Sequence, residues 1–278
     1  MLGLYFGEDS AYSHMRDNID WKCGFLMFLF SLAFFYLVNI LVKNRTQHKL
    51  PLAEEWKWRN VYVSWVHSLI SATWTLLCVA IYPELFHGLI YHINYFTYLC
   101  ITFATGYFVY DFLDLCFEGK VLTLWELTAH HIAVVSMFIY NVVTKAQIGF
   151  SLIALSVEVN SVFLHWRKLL QMEKTPFSSK HYVIIKYLNL ATFIVFRGGP
   201  LTIITVSLFT LHEHVSLVYL VCVSISMVVM DIINIVLLYR FIKSDILRDL
   251  RPGTKKSSRA KHLNDRNGNV MDLEHDSN

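Results

Sequence analysis

The chain has 278 residues, of which 55% are hydrophobic and only 16% charged, with a mean hydropathy of +0.44. A soluble domain carries about 25% charged residues, so this composition excludes a disordered chain, a collagen and most soluble enzymes. The charge is uneven: residues 240–278 hold nine basic and six acidic side chains, whereas the rest of the chain holds fifteen of each and is net neutral. An apolar body with a short polar tail reads as an all-α, polytopic membrane protein.

Residues 1–22 hold four acids against Arg16 and Lys22. That is the wrong sign for a secretory n-region, and the following apolar run is too long for an h-region. The segment is expected to be an extracytosolic N-terminus. A first span is expected over 23–42. Further stretches follow at 61–82, 95–116, 127–143, 148–166, 187–209 and 214–239, against the roughly 20 residues a bilayer core requires. The fourth and fifth are short, which leaves six spans as the competing count. Residues 241–278 read as a disordered cytosolic tail. Its basic cluster could meet anionic lipid at about 1 kcal/mol per charge or act only as a topology signal.

The basic residues orient this parse. With the N-terminus outside, twenty of the 24 Lys and Arg fall on the cytosolic side. Only Arg16, Lys22 and Lys145 fall outside, and Arg197 lies within a span. The positive-inside rule then gives N-out, C-in. The sequon Asn44-Arg45-Thr46 is expected to be cytosolic and unglycosylated. The five cysteines lie in apolar stretches without metal or redox spacing and read as buried thiols. No metal site is expected. No aromatic-interleaved basic patch suggests nucleic acid.

Ionisable groups within a bilayer are costly and usually face a bundle interior or a cavity. His67 lies in the second span. Tyr107, Asp111 and Asp114 lie in the third at i, i+4, i+7, one stripe of a helix. His130 and His131 open the fourth span. Glu158 and Asn160 lie in the fifth, with His165 and Arg167 near its end. Arg197 lies in the sixth and Asp231 in the seventh. These groups gather at mid-membrane or toward the cytosol, which suggests a polar cavity open on that side. Arg197 precedes Gly198-Gly199-Pro200, where a kink is expected because Pro200 removes a backbone donor. Its expected counter-ion is Glu158 or Asp231.

Adjacent histidines on a helix diverge by about 100°, so His130 and His131 are poor joint ligands for one metal. Phosphate-loop, dinucleotide, serine-hydrolase and glycerolipid-acyltransferase signatures are absent. What remains is a histidine pair with acids nearby, able to act as a general base toward an amine or hydroxyl. The catalytic candidates are His130, His131, Asp111 and Glu158. His67, Tyr107, Asp114, Asn160, Arg197 and Asp231 form a lipid-binding or structural polar set.

The segments Gly106-Tyr-Phe-Val-Tyr-Asp-Phe-Leu-Asp114 and Trp125-Glu-Leu-Thr-Ala-His-His131 resemble hallmarks of the TLC-domain membrane proteins, which include the ceramide synthases. Two further segments, Glu158-Val-Asn-Ser-Val-Phe-Leu-His-Trp-Arg-Lys-Leu-Leu170 and Trp58-Arg-Asn-Val-Tyr-Val-Ser-Trp-Val-His-Ser68, are similar to the TLC domain-containing 1 and 2 subgroup. The resemblance covers roughly residues 50–240. In ceramide synthases a paired-His segment is followed by an HDxxD motif, and both are held to matter for acyl transfer. His130 and His131 match the first. The second is absent, the region reading Ser156-Val-Glu-Val-Asn160. For the 1/2 subgroup the resemblance implies regulation of phospholipid composition and fluidity. Such a protein limits incorporation of polyunsaturated acyl chains into phospholipids at the plasma membrane, with the endoplasmic reticulum as the alternative location. The expected partners are membrane phospholipids or acyl chains, with no cofactor. An acyl-CoA-dependent acyltransferase using His130/His131 and a modulating subunit of another membrane protein, such as a channel, are the alternatives.

Overall fold

The computed structural model describes residues 14–46, 52–86 and 88–249, and within these all regular structure is helical. Seven helical stretches are long and apolar enough to cross a bilayer: Trp21–Asn44, Glu54–Ile81, Tyr95–Phe117, Trp125–Thr144, Ile148–Met172, Lys180–Thr210 and Leu217–Ile246. They are numbered here as spans one to seven. The six-span alternative falls away. Spans four and five looked short in sequence because their polar ends, including Trp125-Glu126 and Arg167-Lys168, remain helical. In a helix every backbone polar group is satisfied internally, as the bilayer demands.

Span three is the central helix, with 67% of its most apolar stretch buried, against 11% for span seven. Span one lies on span three at close range. A Cβ on Gly106 would come within 2.6 Å of Ser31 and 2.8 Å of the Phe28 carbonyl, and the Ser31 hydroxyl donates to the Phe103 carbonyl at 2.6 Å. Small residues at such crossings let helix backbones approach in lipid, where no hydrophobic force drives association. Around span three the core closes with Phe35, Ile101, Leu115, Ile148 and Leu152, all nearly inaccessible.

The connections alternate faces. Residues before span one, the start of span three and the end of span four share one face. There the Tyr95 hydroxyl accepts from the Asp20 amide and donates to the Asn18 carbonyl, each at 2.9 Å, and Lys145 donates to the Ile19 carbonyl. The other face carries the ends of spans three and five and the starts of spans two, four and six. It is called the polar end below.

Two spans are not regular helices. Span five breaks at Ser156-Val157 into Ile148–Leu155 and Glu158–Met172. Span six passes through a π-helical turn, Ile194–Gly198, before resuming at Gly199 with Pro200 in its first turn. The kink expected at Pro200 is thus realised as a wider turn, which absorbs the donor that proline removes.

The chain divides into two units after Asp231. The second begins at Ile232 and carries the end of span seven, a π-helical turn at Ile242–Ile246 and the turn Leu247–Asp249. The tail expected to be disordered from residue 241 is therefore helical as far as Asp249, because Ile242, Ile246 and Leu247 prolong the apolar pattern. Residues 250–278 lie outside the described residues, as does most of the N-terminal segment, 1–13.

Candidate functional site

Asp111, deep in span three, is 3% exposed. Its Oδ2 lies 2.7 Å from His131 Nε2 of span four, and its Oδ1 accepts from Asn60 Nδ2 of span two at 2.7 Å. His131 Nδ1 lies 2.7 Å from the Leu127 carbonyl one turn earlier. A carbonyl can only accept, so Nδ1 carries a proton and Nε2 shares another with the carboxylate. Both ring nitrogens of His131 are therefore committed, and three spans are tied at one carboxyl group.

The other stripe residues of span three also spend themselves on packing. His67 stacks on Tyr107 with ring centroids 3.6 Å apart and planes at 10°. The edges of Phe35 and Phe108 close around His67, and Ser71 Oγ lies 3.2 Å from its Nδ1. Asp114 accepts from Trp56 Nε1 at 2.9 Å, and nearby Arg59 pairs with Glu118 at 3.1 Å. These contacts fasten the start of span two to the end of span three.

A second knot joins spans five and six. Arg197 Nε donates to Asn160 Oδ1 at 2.6 Å, and its guanidinium also donates to Ser161 Oγ at 3.2 Å. Asn160 Nδ2 in turn donates to the Asn189 carbonyl at 3.0 Å. Glu158 accepts from Ser68 Oγ at 2.6 Å and acts on Arg197 through its charge. Of the two expected counter-ions, Glu158 belongs to this cluster. Asp231 instead lines a separate groove between spans six and seven, with Thr205, Phe209 and His212.

The expected polar cavity is replaced by a different arrangement. The polar groups are mostly consumed by one another and by hydroxyls of span two, and the cavity beside them is apolar. It measures about 820 Å³ including its open mouth. Spans four to seven line it with Val134, Met137, Phe150, Ile204, Val223 and Met227, among others. His130 and Glu158 stand at its polar end, and Asn141 and Tyr219 at the other. Eleven residues separate His130 from Asn141, so the slot runs about 16 Å at 1.5 Å per residue. His130 is the member of the pair that faces it, with Nδ1 3.1 Å from Met230 Sδ.

Of the partners on span two, the sequence reading singles out only His67. Asn60, Ser64, His67, Ser71 and Thr75 recur at intervals of three and four, one stripe of small polar residues in an apolar helix. Ser68 flanks it. That periodicity was the available signal. His165 was noted but not placed in the site; it follows Glu158 and Ser161 at i+7 and i+4, facing the same cluster within electrostatic reach of Arg197 and Asp111. Among the described residues, no three His, Cys, Asp or Glu converge as a metal ion would need.

A buried His–Asp pair tied to a polar seam, beside an apolar slot in a bundle of seven helices long and apolar enough to cross a bilayer, defines the class: a polytopic helical membrane protein. Residues 57–243 match the TLC domain. TLC domain-containing protein 2 of Danio rerio is 37% identical over 226 residues, covering 80% of this chain and 89% of that protein. The human TLC domain-containing protein 2 is 32% identical over 195 residues, 70% of this chain and 74% of that one. TLC domain-containing protein 1 of Gallus gallus is 33% identical over 150 residues, 54% and 59% respectively. No solved structure matches the chain. The chain belongs to the TLC-domain family.

Proposed function

We propose that this protein regulates the acyl composition of membrane phospholipids and, through it, membrane fluidity, by limiting incorporation of polyunsaturated chains. The observation that carries the reading is the slot: a narrow, mainly apolar cleft about 16 Å long, whose lining imidazole and carboxyl groups, His130 and Glu158, stand together at one end, with the neutral Asn141 and Tyr219 at the other. An acyl chain has that polarity. Its methylenes bury against Met137, Phe150 and Val223 at about 0.8 kcal/mol each, and its ester or carboxyl end meets His130 and Glu158. The resemblance to the 1/2 subgroup supports the same reading and favours the plasma membrane, while the distribution of basic residues favours an outside N-terminus and a cytosolic C-terminus. The test is a lipidomic comparison of cells lacking the protein, re-supplied with wild type or Ala133→Phe, under a load of polyunsaturated fatty acid. Ala133 lines the slot, and a phenyl ring there fills it. Polyunsaturated phosphatidylethanolamine is expected to rise in the null and in the filled variant, and to return to normal with wild type. An unchanged lipidome in the null rejects the reading.

One observation favours a second reading, an acyl-CoA-dependent acyltransferase. His130 borders the slot while the neighbouring His131 is anchored by Asp111 and Leu127. A general base must reach the proton it removes, so His130 takes that role in such a reaction and His131 orients the helix. Purified protein with labelled acyl-CoA and amine or lysolipid acceptors tests it. Turnover lost in His130→Ala supports it, and no turnover by the wild type with any acceptor rejects it.

A further inference from the structure

The slot has a neighbour. A groove on the lipid-facing side runs between spans four and seven, about 1010 Å³ including its open side, with Ile132, Ser136, Cys222 and Ile225 in its walls. Ala133, Met137, Tyr219 and Ser226 line both the groove and the slot. The two clefts therefore lie back to back across one layer of side chains. They also match in extent. On span four the groove runs from Ala129 to Tyr140, and the slot from His130 to Asn141.

Two contacts tie span seven to span four and frame the shared wall. His130 Nδ1 lies 3.1 Å from Met230 Sδ toward the polar end, and the Tyr140 and Tyr219 rings meet at 5.5 Å toward the other. His130 and Tyr140 are about 15 Å apart along the helix. Between the two contacts several positions are small: Ala133 and Ser136 on span four, Cys222 and Ser226 on span seven. Helices that meet at two levels with small side chains between them leave a window. Span seven is its less confined side, with only 11% of its most apolar stretch buried, the lowest share of the seven spans. The window also sits at a telling depth. Trp125, exposed, opens span four, where amphipathic rings settle at a membrane interface. His130 lies about 7.5 Å deeper, at the boundary of headgroups and hydrocarbon where acyl ester bonds lie.

We propose that the molecule held here is an intact diacyl phospholipid straddling this window, with one acyl chain in the slot, the other in the groove and the glycerol esters level with His130. A two-tailed lipid brings two parallel chains from one glycerol, and spans four and seven offer two parallel clefts of equal length with a shared wall. A free fatty acid or an acyl-CoA fills only one of them. A chain passing sideways through the window loads the slot from the bilayer itself. The proposal rests on the slot's holding an acyl chain and names the class of lipid that carries it.

The test uses the full chain in mild detergent, with diacyl phosphatidylethanolamine or its single-chain lyso form added, and counts retained lipid by native mass spectrometry. The diacyl form is expected to be retained more tightly. Ser136 is exposed and lines the groove but not the slot. Ser136→Trp fills the groove and should weaken retention of the diacyl form about tenfold, the worth of about ten lost carbon contacts, while leaving the lyso form unchanged. Ala154 lines the slot but not the groove, and Ala154→Phe should weaken both. Val206→Trp, at an exposed position of span six that borders neither cleft, should change neither. Thermal melting of each variant checks that the fold is intact. Equal retention of the two lipids by the wild type, or an equal effect of Ser136→Trp on both, would overturn the proposal while leaving a single acyl chain in the slot. A wild type that retains neither lipid rejects the slot reading as well.

Discussion

His131 commits both ring nitrogens, to Leu127 and Asp111, while His130 turns toward the slot. The two histidines should therefore fail differently. His131→Ala leaves the Asp111 carboxylate buried without its ionic partner, and breaking a buried pair this way costs about 3 kcal/mol or more. His131→Ala is expected to lower the Tm in detergent by several degrees, and Asp111→Leu to lower it similarly. His130→Ala trims a ring at the slot mouth and should cost under about 1 kcal/mol, an ordinary figure for a partly exposed position, while changing lipid retention. Equal destabilisation by His130→Ala and His131→Ala would contradict this division of labour. Chain order alone did not reveal it. Consecutive positions on a helix point about 100° apart, and only the placement of span three tells which of the two faces an aspartate.

At the scale of helices, the seam of span two does most of the joining. Asn60, His67, Ser68 and Trp56 reach Asp111, Tyr107, Glu158 and Asp114 respectively. Hydrogen bonds between spans in lipid contribute about 0.6 kcal/mol on average, up to about 1.7. Ser68→Ala should then cost on the order of 1 kcal/mol, and Asn60→Leu somewhat more because it strips a carboxylate of a donor. Gly106→Leu acts by another route: the side chain would strike Ser31 and the Phe28 backbone. It should separate spans one and three and lower the Tm more than either hydrogen-bond loss. The spans themselves were legible in sequence because a run of apolar residues long enough to cross a bilayer has few other homes. The stripe Tyr107, Asp111, Asp114 was legible from helical period. The serines of span two were not picked out, since a hydroxyl in an apolar helix usually bonds its own backbone. Ser64 does so, donating to the Asn60 carbonyl, whereas Ser68 reaches across to another span. The break at Ser156-Val157 and the π turn before Pro200 depend on how neighbouring helices fill the space, which no local pattern encodes.

For the whole molecule, sidedness is a matter of charge. Basic residues such as Lys57, Arg59, Arg167, Lys168 and Lys180 cluster at the polar end, and the positive-inside rule predicts that this end faces the cytosol. Asn44 should then escape glycosylation in cells, and a sequon placed in the loop after span four, near Lys145, should be modified; the reverse pattern would invert the topology. Arg197 tests the interior. Arg197→Leu removes the donor held by Asn160 and Ser161 and should destabilise the bundle, while adding Glu158→Gln should recover part of the loss if Glu158's charge is what Arg197 offsets. The order of these partners along the chain bears on how the protein is made. Asn60 and Trp56 precede Asp111 and Asp114, Ser68 precedes Glu158, Asp111 precedes His131, and Asn160 and Ser161 precede Arg197. A chain emerging from the ribosome N-terminus first thus delivers each of these expensive side chains to a bilayer where its partner is already waiting. Span three, released alone by truncation without span two, should insert poorly, and Asn60→Leu in a two-to-three hairpin should reproduce part of that defect.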